Sequence, residues 1–229
     1  MTVDNSTALP PPAVMRGYPG RGIAVLCDAA GGLWWIYFLT GRSPSSRARR
    51  FRHEGEALIM ENTDPFTRDD PPRHYRSAVE VGSRLVVGNG DHVDVIADRL
   101  RDSGTDDVDD LPVGLLDGIE AEPDPPIDTP RIAAVLGARP DRPFHMVSVR
   151  SIDGVTVRDQ HRIEPTAGHL VMLHTHGGDT RSVITDAVPH NSTWPGNAER
   201  LWTQLDLGLR VALAWGTAPS ATPGGVLPA

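Results

Sequence analysis

The sequence contains no lysine, and this absence excludes several kinds of enzyme. All 22 of its basic side chains are arginine. A Schiff-base enzyme, an enzyme that anchors pyridoxal phosphate and a phosphate-binding loop of the lysine-bearing kind each need a lysine ammonium group. None of these three chemistries is open to this chain.

Cysteine is nearly absent as well, since Cys27 is the one cysteine among 229 residues. A single cysteine excludes an internal disulfide framework and any zinc or iron–sulfur site built from several cysteines. Cys27 lies in an apolar, strand-like stretch, where cysteine usually packs as a small hydrophobic side chain. We therefore expect it to be buried and not to act as a nucleophile.

Long apolar runs and a surplus of positive charge are also lacking. The longest apolar run, 33–39, has the length of one strand, whereas a membrane-spanning helix needs about 18 residues or more. The formal net charge of −8 argues against a nucleic-acid binder, because such proteins neutralise phosphates with basic faces. Residues 1–12 lack the basic and apolar segments of a secretion signal. We expect a cytoplasmic protein that binds neither membranes nor nucleic acids.

Proline and small or polar residues dominate both ends of the chain. Residues 1–14 include three consecutive prolines and are predicted to form a disordered arm, and residues 218–229 are predicted to form a flexible tail. The part between them, 15–217, contains no repeat and no long linker, and its length fits one domain. The acidic, proline-rich stretch 118–128 suits an ordered loop as well as a domain boundary, and a single domain is the preferred interpretation.

Segments rich in β-branched and aromatic residues, bounded by turn-forming residues, run through most of the chain. The Gly-Ser pair at 82–83 between two of them is typical of a two-residue hairpin turn. The predicted strands are 22–27, 33–40, 75–81, 84–87, 131–136, 144–150, 155–162, 169–174 and 210–215.

Three segments have apolar residues at helical spacing. The first follows Asp91, a residue type favoured at helix N-caps. Many strands joined by hairpins, with few helices, predict an α+β domain built in layers. The apolar positions of the three predicted helices are Val93, Ile96, Ala97 and Leu100 in the first, Val108, Leu111 and Leu115 in the second, and Ala198, Leu201, Trp202 and Leu205 in the third.

Two segments combine backbone donors with side chains that bind anions or bases. Residues 40–52 contain five arginines directly after a predicted strand. A guanidinium binds phosphate through two hydrogen bonds, although a solvated basic turn has the same composition. Residues 88–94 place two glycines and Asn89 before a predicted helix, where free N–H groups can bind a ligand. An ordinary turn followed by a helix cap is the alternative there.

Two further segments carry carboxylates and histidines. Prolines in 122–132 restrict the backbone and can hold a carboxylate in place as a general base, and a solvated acidic loop is the alternative. His174 and His176 are two residues apart, which places them on one face of a strand and allows both to bind a metal. This spacing leaves open a metal-dependent hydrolase, although no second cluster of histidines and acids accompanies it.

Taken in order, short motifs along most of the chain resemble the IMP cyclohydrolases of the archaeal type and their bacterial relatives. The resemblance implies a four-layer αββα sandwich like that of the N-terminal-nucleophile hydrolases, without a self-processed terminal nucleophile. The motifs that carry it are 18–23, 37–47, 89–94, 122–124, 129–132, 168–169, 174–175 and 201–202.

The reaction that the resemblance implies closes the second ring of a purine. The carboxamide nitrogen of a formamido-imidazole-carboxamide ribonucleotide attacks the formyl carbon, and loss of water gives inosine monophosphate. Such a reaction needs a base, a donor to the developing oxyanion and an acid that assists loss of water. It needs no metal and no organic cofactor, and we expect none.

The resemblance also implies roles for particular residues. Tyr75 is the candidate acid or oxyanion donor, Glu122 is the candidate base, and Arg42 holds phosphate or polarises the formyl oxygen. The further candidates for substrate binding are Arg21, Arg47, Asn89, Asp91, Asp94, Arg131 and His174.

The chain departs from the family pattern most clearly at 180–190, a segment expected to form a wall of the pocket. The departure leaves two alternatives open. One is a relative that cyclises or hydrolyses a modified nucleotide or amide in specialised metabolism, and the other is a module that binds a nucleotide without catalysis. The partner that the resemblance implies is a small nucleotide, and whether the chain forms a homo-oligomer stays open.

Overall fold

The computed structural model of the protein describes residues 17–64, 74–104, 108–193 and 196–228. The arm predicted at 1–14 lies outside the described residues. Within the described parts, no helix is both long and apolar enough to cross a membrane. The strands, β1 to β17 in chain order, are Arg21–Cys27, Leu33–Thr40, Arg49–Glu54, Ala57–Asn62, Tyr75–Val81, Arg84–Gly88, Glu122–Asp124, Ile127–Thr129, Arg131–Gly137, Phe144–Ile152, Val155–Ile163, His169–His174, Gly177–Gly178, Val183–Ile184, His190–Thr193, Arg210–Thr217 and Gly225–Pro228.

All of the strands predicted from the sequence are confirmed, because each predicted segment overlaps one of these strands. Three helices occur in the described parts: α1 at Pro44–Arg47, α2 at His92–Asp102 and α3 at Ala198–Gln204. The first and third predicted helices are thereby confirmed as α2 and α3.

Most strands belong to two antiparallel sheets. The first has the order β15-β12-β1-β2-β16-β17, and the second has the order β11-β10-β9-β6-β5-β4-β3. The largest apolar cluster draws residues from both sheets and therefore lies between them. The predicted sheet-rich α+β architecture is confirmed at this level.

The position of strand β2 between two apolar clusters explains why its sequence is an almost continuous apolar run. Trp35, Tyr37 and Leu39 join the cluster between the sheets, whereas Ile36 and Phe38 join the cluster on the outer face of the first sheet. Successive side chains of a strand point to opposite faces, so a strand buried on both faces needs apolar residues at every position.

One helix covers the outer face of each sheet. The side chains of Val93, Ile96, Ala97 and Leu100 in α2 are 0% exposed and pack with strands of the second sheet. Ala198 and Leu201 in α3 pack on the first sheet. Each of these two helices thus packs against one of the two sheets.

The second predicted helix is wrong, because the residues that the structure describes from Val108 to Leu115 form turns and no helix. Pro112 has no N–H to donate, and Gly114 takes a positive φ of 78° that suits glycine. Leu115 nevertheless packs on the outer face of the second sheet. Its apolar spacing therefore reflects burial rather than helix formation.

The flexible tail predicted at 218–229 is wrong for part of its length. Residues Gly225–Pro228 form β17, which pairs with β16 at the edge of the first sheet. Ala221 is buried, and its N–H donates to Glu80 over 2.7 Å. Pairing with an open sheet edge satisfies the backbone groups of this segment, which its small-residue composition does not reveal.

Candidate active site

A cleft of about 710 Å³ lies where the start of β1 meets the end of β2, a volume within the range of about 300–1,000 Å³ typical of small-molecule sites. Antiparallel pairing sets Arg21 opposite Leu39 and Gly22 opposite His174, so three strand ends meet there. Residues from several separate segments line the cleft: Tyr18, Gly20, Arg21, Thr40, Arg42, Ser43, Ser46, Arg49, Glu122, Pro123, Asp124, His176, Thr180 and Leu209.

A buried ion pair forms one wall of the cleft. The guanidinium of Arg21 donates to both carboxylate oxygens of Glu122, over 2.7 and 2.9 Å, and also to the carbonyl of Asn89 over 2.8 Å. Both side chains are buried. Burial raises the pKa of Glu122, but the charge and hydrogen bonds of Arg21 outweigh it and leave that pKa below its usual value. The carboxylate is therefore ionised at neutral pH.

Two tyrosine hydroxyls meet next to this pair. The hydroxyl oxygens of Tyr37, from the first sheet, and Tyr75, from the second, are 2.7 Å apart. Both side chains are buried, and burial raises the pKa of Tyr37. Tyr75 acts electrostatically on the guanidinium groups of Arg21 and Arg49, so its hydroxyl belongs to the same charged site.

Arg49, the first residue of β3, places a second guanidinium in the cleft. Its Nε is buried and has no hydrogen-bond partner among the described residues. Burial and the nearby charge of Arg21 lower the pKa of Arg49, yet an arginine stays protonated in proteins. Arg49 is thus a cation with a donor available to a ligand.

Three side chains stack at the mouth of the cleft. The Tyr18 ring stacks on the His176 ring, with 5.2 Å between the ring centroids and 27° between the planes. The guanidinium carbon of Arg42 lies 4.7 Å from the centroid of the Tyr18 ring. Arg42 also donates to the carbonyl of Thr180 over 3.2 Å, which connects the arginine-rich segment to the 180–190 segment.

The His176 ring is held by its neighbours. The Thr175 hydroxyl accepts the Arg21 backbone N–H over 3.0 Å and lies 2.8 Å from His176 Nδ1. Nε2 of His176 is buried and lacks a hydrogen-bond partner within the described parts of the chain. Burial and the charges of Arg21 and Arg42 lower the pKa of His176 to about 3, so the imidazole is neutral at physiological pH.

The structure places three of the predicted site residues, Arg21, Arg42 and Glu122, in the cleft. Tyr75 is not among the lining residues, but its hydroxyl contacts that of Tyr37 and interacts electrostatically with Arg21 of the cleft wall. Asn89, predicted to bind substrate, is not among the residues that line the cleft. Its amide donates to the Pro130 carbonyl over 2.9 Å and accepts the Ile132 N–H over 2.7 Å, so Asn89 joins two loops and offers its backbone carbonyl to Arg21.

The remaining predicted residues do not line the cleft. Arg47 is exposed in the last turn of α1. Asp94 pairs with Arg76 over 2.7 Å, and Asp91 pairs with Arg131. Asp91 occupies the N-cap position of α2, but its side chain makes no capping hydrogen bond and pairs with Arg131 instead. Arg131 does act on the cleft at a distance, since its charge contributes to the lowered pKa of Glu122.

His174 also lies outside the lining residues. Its Nδ1 donates to the His176 carbonyl over 2.7 Å, and its ring meets the edge of His190 with centroids 5.0 Å apart. Among the described residues, no three His, Cys, Asp or Glu side chains come together as a candidate metal site. The pair His174 and His176 therefore has no third ligand of these types there.

Sequence reasoning did not select four residues that the structure places in or beside the cleft: Tyr18, Tyr37, Arg49 and His176. Tyr18 and Tyr37 fall within the quoted motifs, and Arg49 falls within the arginine-rich segment. His176 was considered only as a metal ligand. Because Tyr18 and Tyr37 lie inside motifs shared with the family, the motifs could have indicated them as site residues. The sequence carries no signal that His176 Nε2 lacks a hydrogen-bond partner.

Comparisons with known proteins agree with these motifs. A sequence profile of the IMP cyclohydrolase-like protein family matches residues 18–216, which include all of the residues that line the cleft. An IMP cyclohydrolase from Methanothrix thermoacetophila is 30% identical over 162 residues, which cover 69% of this chain and 74% of that relative. The chain therefore belongs to the IMP cyclohydrolase-like family and is a hydrolase that acts on carbon–nitrogen bonds.

Proposed function

We propose that this protein closes the pyrimidine ring of a formamido-imidazole-carboxamide ribonucleotide, with loss of water, to give inosine monophosphate. The proposal takes residues 15–217 as one domain of the four-layer αββα type found in N-terminal-nucleophile hydrolases. Family membership supports the reaction class. The observation that carries the proposal is the buried Arg21–Glu122 pair in the wall of a cleft of nucleotide size.

Glu122 is the proposed base. Each carboxylate oxygen accepts one hydrogen bond from Arg21, which leaves further lone pairs for a substrate N–H. A carboxylate with a lowered pKa is a weak base, but the carboxamide N–H becomes far more acidic as its nitrogen bonds to the formyl carbon. Glu122 takes that proton as the C–N bond forms, and Arg21 keeps the carboxylate ionised and oriented.

Tyr75 is the proposed acid. As the carboxamide nitrogen attacks, the formyl oxygen gains charge and takes a proton to become a hydroxyl. The Tyr75 hydroxyl can supply it, because the positive charge of the nearby Arg21 guanidinium balances the negative charge that the transfer leaves on the oxygen. The new hydroxyl then leaves as water with the proton that Glu122 took from the carboxamide, while the former formamide nitrogen gives its own proton to the Tyr75 phenolate and the C=N bond forms, so both residues return to their starting states.

Arg42 and Arg49 are the proposed phosphate ligands. Arg42 is exposed at the mouth of the cleft, where a hydrated dianion loses little solvation, and Arg49 offers an unpartnered donor further in. Fixing the phosphate and the carboxamide at two ends holds the formyl carbon near its attacking nitrogen. Such placement contributes about 7–11 kcal/mol in well-oriented intramolecular reactions.

A second candidate is a cyclase or hydrolase of a modified nucleotide or amide. The observation that favours it is the position of the divergent 180–190 segment. Gly177–Gly178 pairs with Val183–Ile184 to form a small hairpin, and Thr180 at its turn lines the cleft. A change of sequence in this segment alters a wall of the site and therefore affects the choice of substrate.

An absorbance assay for purine formation tests the proposal. The formamido ribonucleotide and the matching unphosphorylated nucleoside are each incubated with the protein. We expect turnover of the ribonucleotide and much slower turnover of the nucleoside, because Arg42 and Arg49 have no anion to hold. Tight binding of inosine monophosphate without turnover of either compound would favour a module that binds without catalysis, and neither binding nor turnover would favour the modified substrate.

A further inference from the structure

His176 lines the cleft with a ring nitrogen that is buried and has no hydrogen-bond partner among the described residues, as Arg49 does with its Nε, but the His176 ring is also held by the residues around it. The side chain is 4% exposed, and among the described residues Nε2 has no hydrogen-bond partner. Leaving a buried donor unsatisfied costs about 1–3 kcal/mol. An unpaired donor in the wall of a cleft is therefore expected to form its hydrogen bond with a ligand.

The surroundings determine which nitrogen carries the proton. The Thr175 hydroxyl accepts the Arg21 N–H and has its own proton to give, and in the described structure its other contact is His176 Nδ1. Thr175 therefore donates to Nδ1, and the proton of the neutral ring is on Nε2. Which nitrogen is protonated follows from the bond that the other one makes.

Backbone geometry leaves the ring little freedom. Gly20 has a φ of +69°, and a Cβ at that position would lie 2.0 Å from His176 Nδ1 and 2.4 Å from Thr175 Oγ1. The backbone N–H of His176 donates to the Pro19 carbonyl over 3.1 Å, and Tyr18 covers one ring face. Glycine at position 20 therefore makes room for the ring, and the Nε2–H direction is set before a ligand binds.

We infer that His176 is a substrate-binding residue whose Nε2–H donates to the carboxamide oxygen of the substrate, the oxygen that becomes the 6-oxo group of the product. A carboxamide presents an N–H donor beside a carbonyl acceptor. Glu122 supplies the acceptor and His176 the donor, and the two lie close enough for the Glu122 charge to act on the imidazole. The identity of this substrate rests on the proposed function.

This arrangement selects a 6-oxo over a 6-amino purine nucleotide. Inosine monophosphate has an acceptor at position 6 and a donor at position 1, which match His176 and Glu122. Adenosine monophosphate has a donor at position 6 and an acceptor at position 1, so each contact becomes repulsive. Sites built around buried hydrogen-bonding groups discriminate strongly because a mismatched ligand leaves those groups unpaired.

Calorimetric titration of the full chain with the two nucleotides tests the inference. The wild type should bind inosine monophosphate at least about 100-fold more tightly than adenosine monophosphate. His176→Phe keeps a ring against Tyr18 but removes the donor, and it should weaken inosine monophosphate binding about tenfold to 100-fold while leaving adenosine monophosphate binding unchanged. His176→Gln restores an N–H and should recover part of the preference. His190→Phe, next to His174 and outside the cleft, should bind as the wild type does.

The outcomes separate this inference from the proposed reaction. An unchanged preference in His176→Phe and in His176→Gln overturns the inference, even if ring closure proceeds. A preference that depends on His176, in a protein that does not close the ring, supports the inference and refutes the proposed reaction. Equal affinity of the wild type for both nucleotides overturns the inference. Thermal unfolding of each variant establishes that it is folded before its affinity is compared.

Discussion

Arg21, the first residue of β1, holds Glu122, the first residue of β7, by two parallel hydrogen bonds of 2.7 and 2.9 Å. The two residues are 101 positions apart in the chain, and both are buried. The pair fixes the short strand β7, in the 122–132 loop, against β1 of the first sheet. Arg21 and the neighbouring guanidinium groups also keep the Glu122 carboxylate ionised in the cleft.

The first prediction concerns the stability of this pair. Arg21→Met leaves the Glu122 carboxylate buried without its partner, and such a change costs about 3–5 kcal/mol of unfolding free energy. The double variant Arg21→Met/Glu122→Leu removes both charges and should recover most of that loss. Urea unfolding at pH 7 measures both. Arg139→Met, which breaks an exposed pair with Asp141, is the control and should change little.

The second prediction concerns the two tyrosines. Tyr75→Phe removes the proposed acid and should lower kcat by about 100-fold or more, with the affinity for inosine monophosphate nearly unchanged. Tyr37→Phe removes only the partner hydroxyl 2.7 Å away and should have a smaller effect. Steady-state kinetics measures kcat, and calorimetry measures the affinity for inosine monophosphate, in both variants. A larger loss of kcat in Tyr37→Phe would assign the acid to Tyr37 instead.

The third prediction separates the arginines of the basic segment. Arg42 lines the cleft, whereas Arg47 is exposed on α1 and contributes nothing to the lining. Arg42→Ala should weaken binding of inosine monophosphate about tenfold to 100-fold, as expected for a hydrogen bond to a charged group, and leave inosine binding unaltered. Arg47→Ala should bind both as the wild type does. An equal loss in the two variants would mean that the segment acts only through its overall charge.

The fourth prediction concerns acid stability. Burial lowers the pKa values of His92 and His174 to about 4, from an ordinary value of 6.5. The unfolded chain therefore binds more protons than the folded one between these values, and the unfolding free energy falls as the pH drops from about 6.5 to about 4. His176, with a pKa of about 3, extends the loss below that range.

Urea unfolding at a series of pH values measures this dependence. His174→Gln removes one titrating group and should flatten the slope between pH 6.5 and 4 relative to the wild type. Glu122 also lowers the unfolding free energy in stronger acid. Its pKa is lower in the folded chain than in the unfolded one, so it stabilises the fold above the ordinary carboxyl pKa, and this stabilisation is lost as the pH falls further. Stability that rises on acidification through this range would contradict the burial of neutral histidines.

The strands could be predicted from the sequence because their pattern is local. The run 33–39 is apolar at every position, as a strand between two layers requires. The apolar spacing at Val108, Leu111 and Leu115 was equally local but wrong, since Pro112 and Gly114 favour turns over a helix. Here, backbone preference outweighed apolar periodicity.

The composition of the cleft was less predictable, because it depends on pairings between distant segments. Arg47 and Arg49 are two residues apart, yet α1 ends at the first and β3 begins at the second, which turns one to solvent and the other into the cleft. The Asn89 side chain is used by two backbone groups 41 and 43 positions away. Neither outcome follows from residue type and spacing alone.

The most direct test of the proposed reaction is the turnover of Glu122→Gln with the formamido ribonucleotide. Asp124→Asn, in the same cleft but bonded to Thr129, is the matched control. Glutamine keeps the shape of the side chain but cannot take the carboxamide proton, so we predict a loss of kcat of about 100-fold or more in Glu122→Gln and near wild-type kcat in Asp124→Asn. Wild-type turnover by a folded Glu122→Gln variant would contradict the assignment of Glu122 as the base.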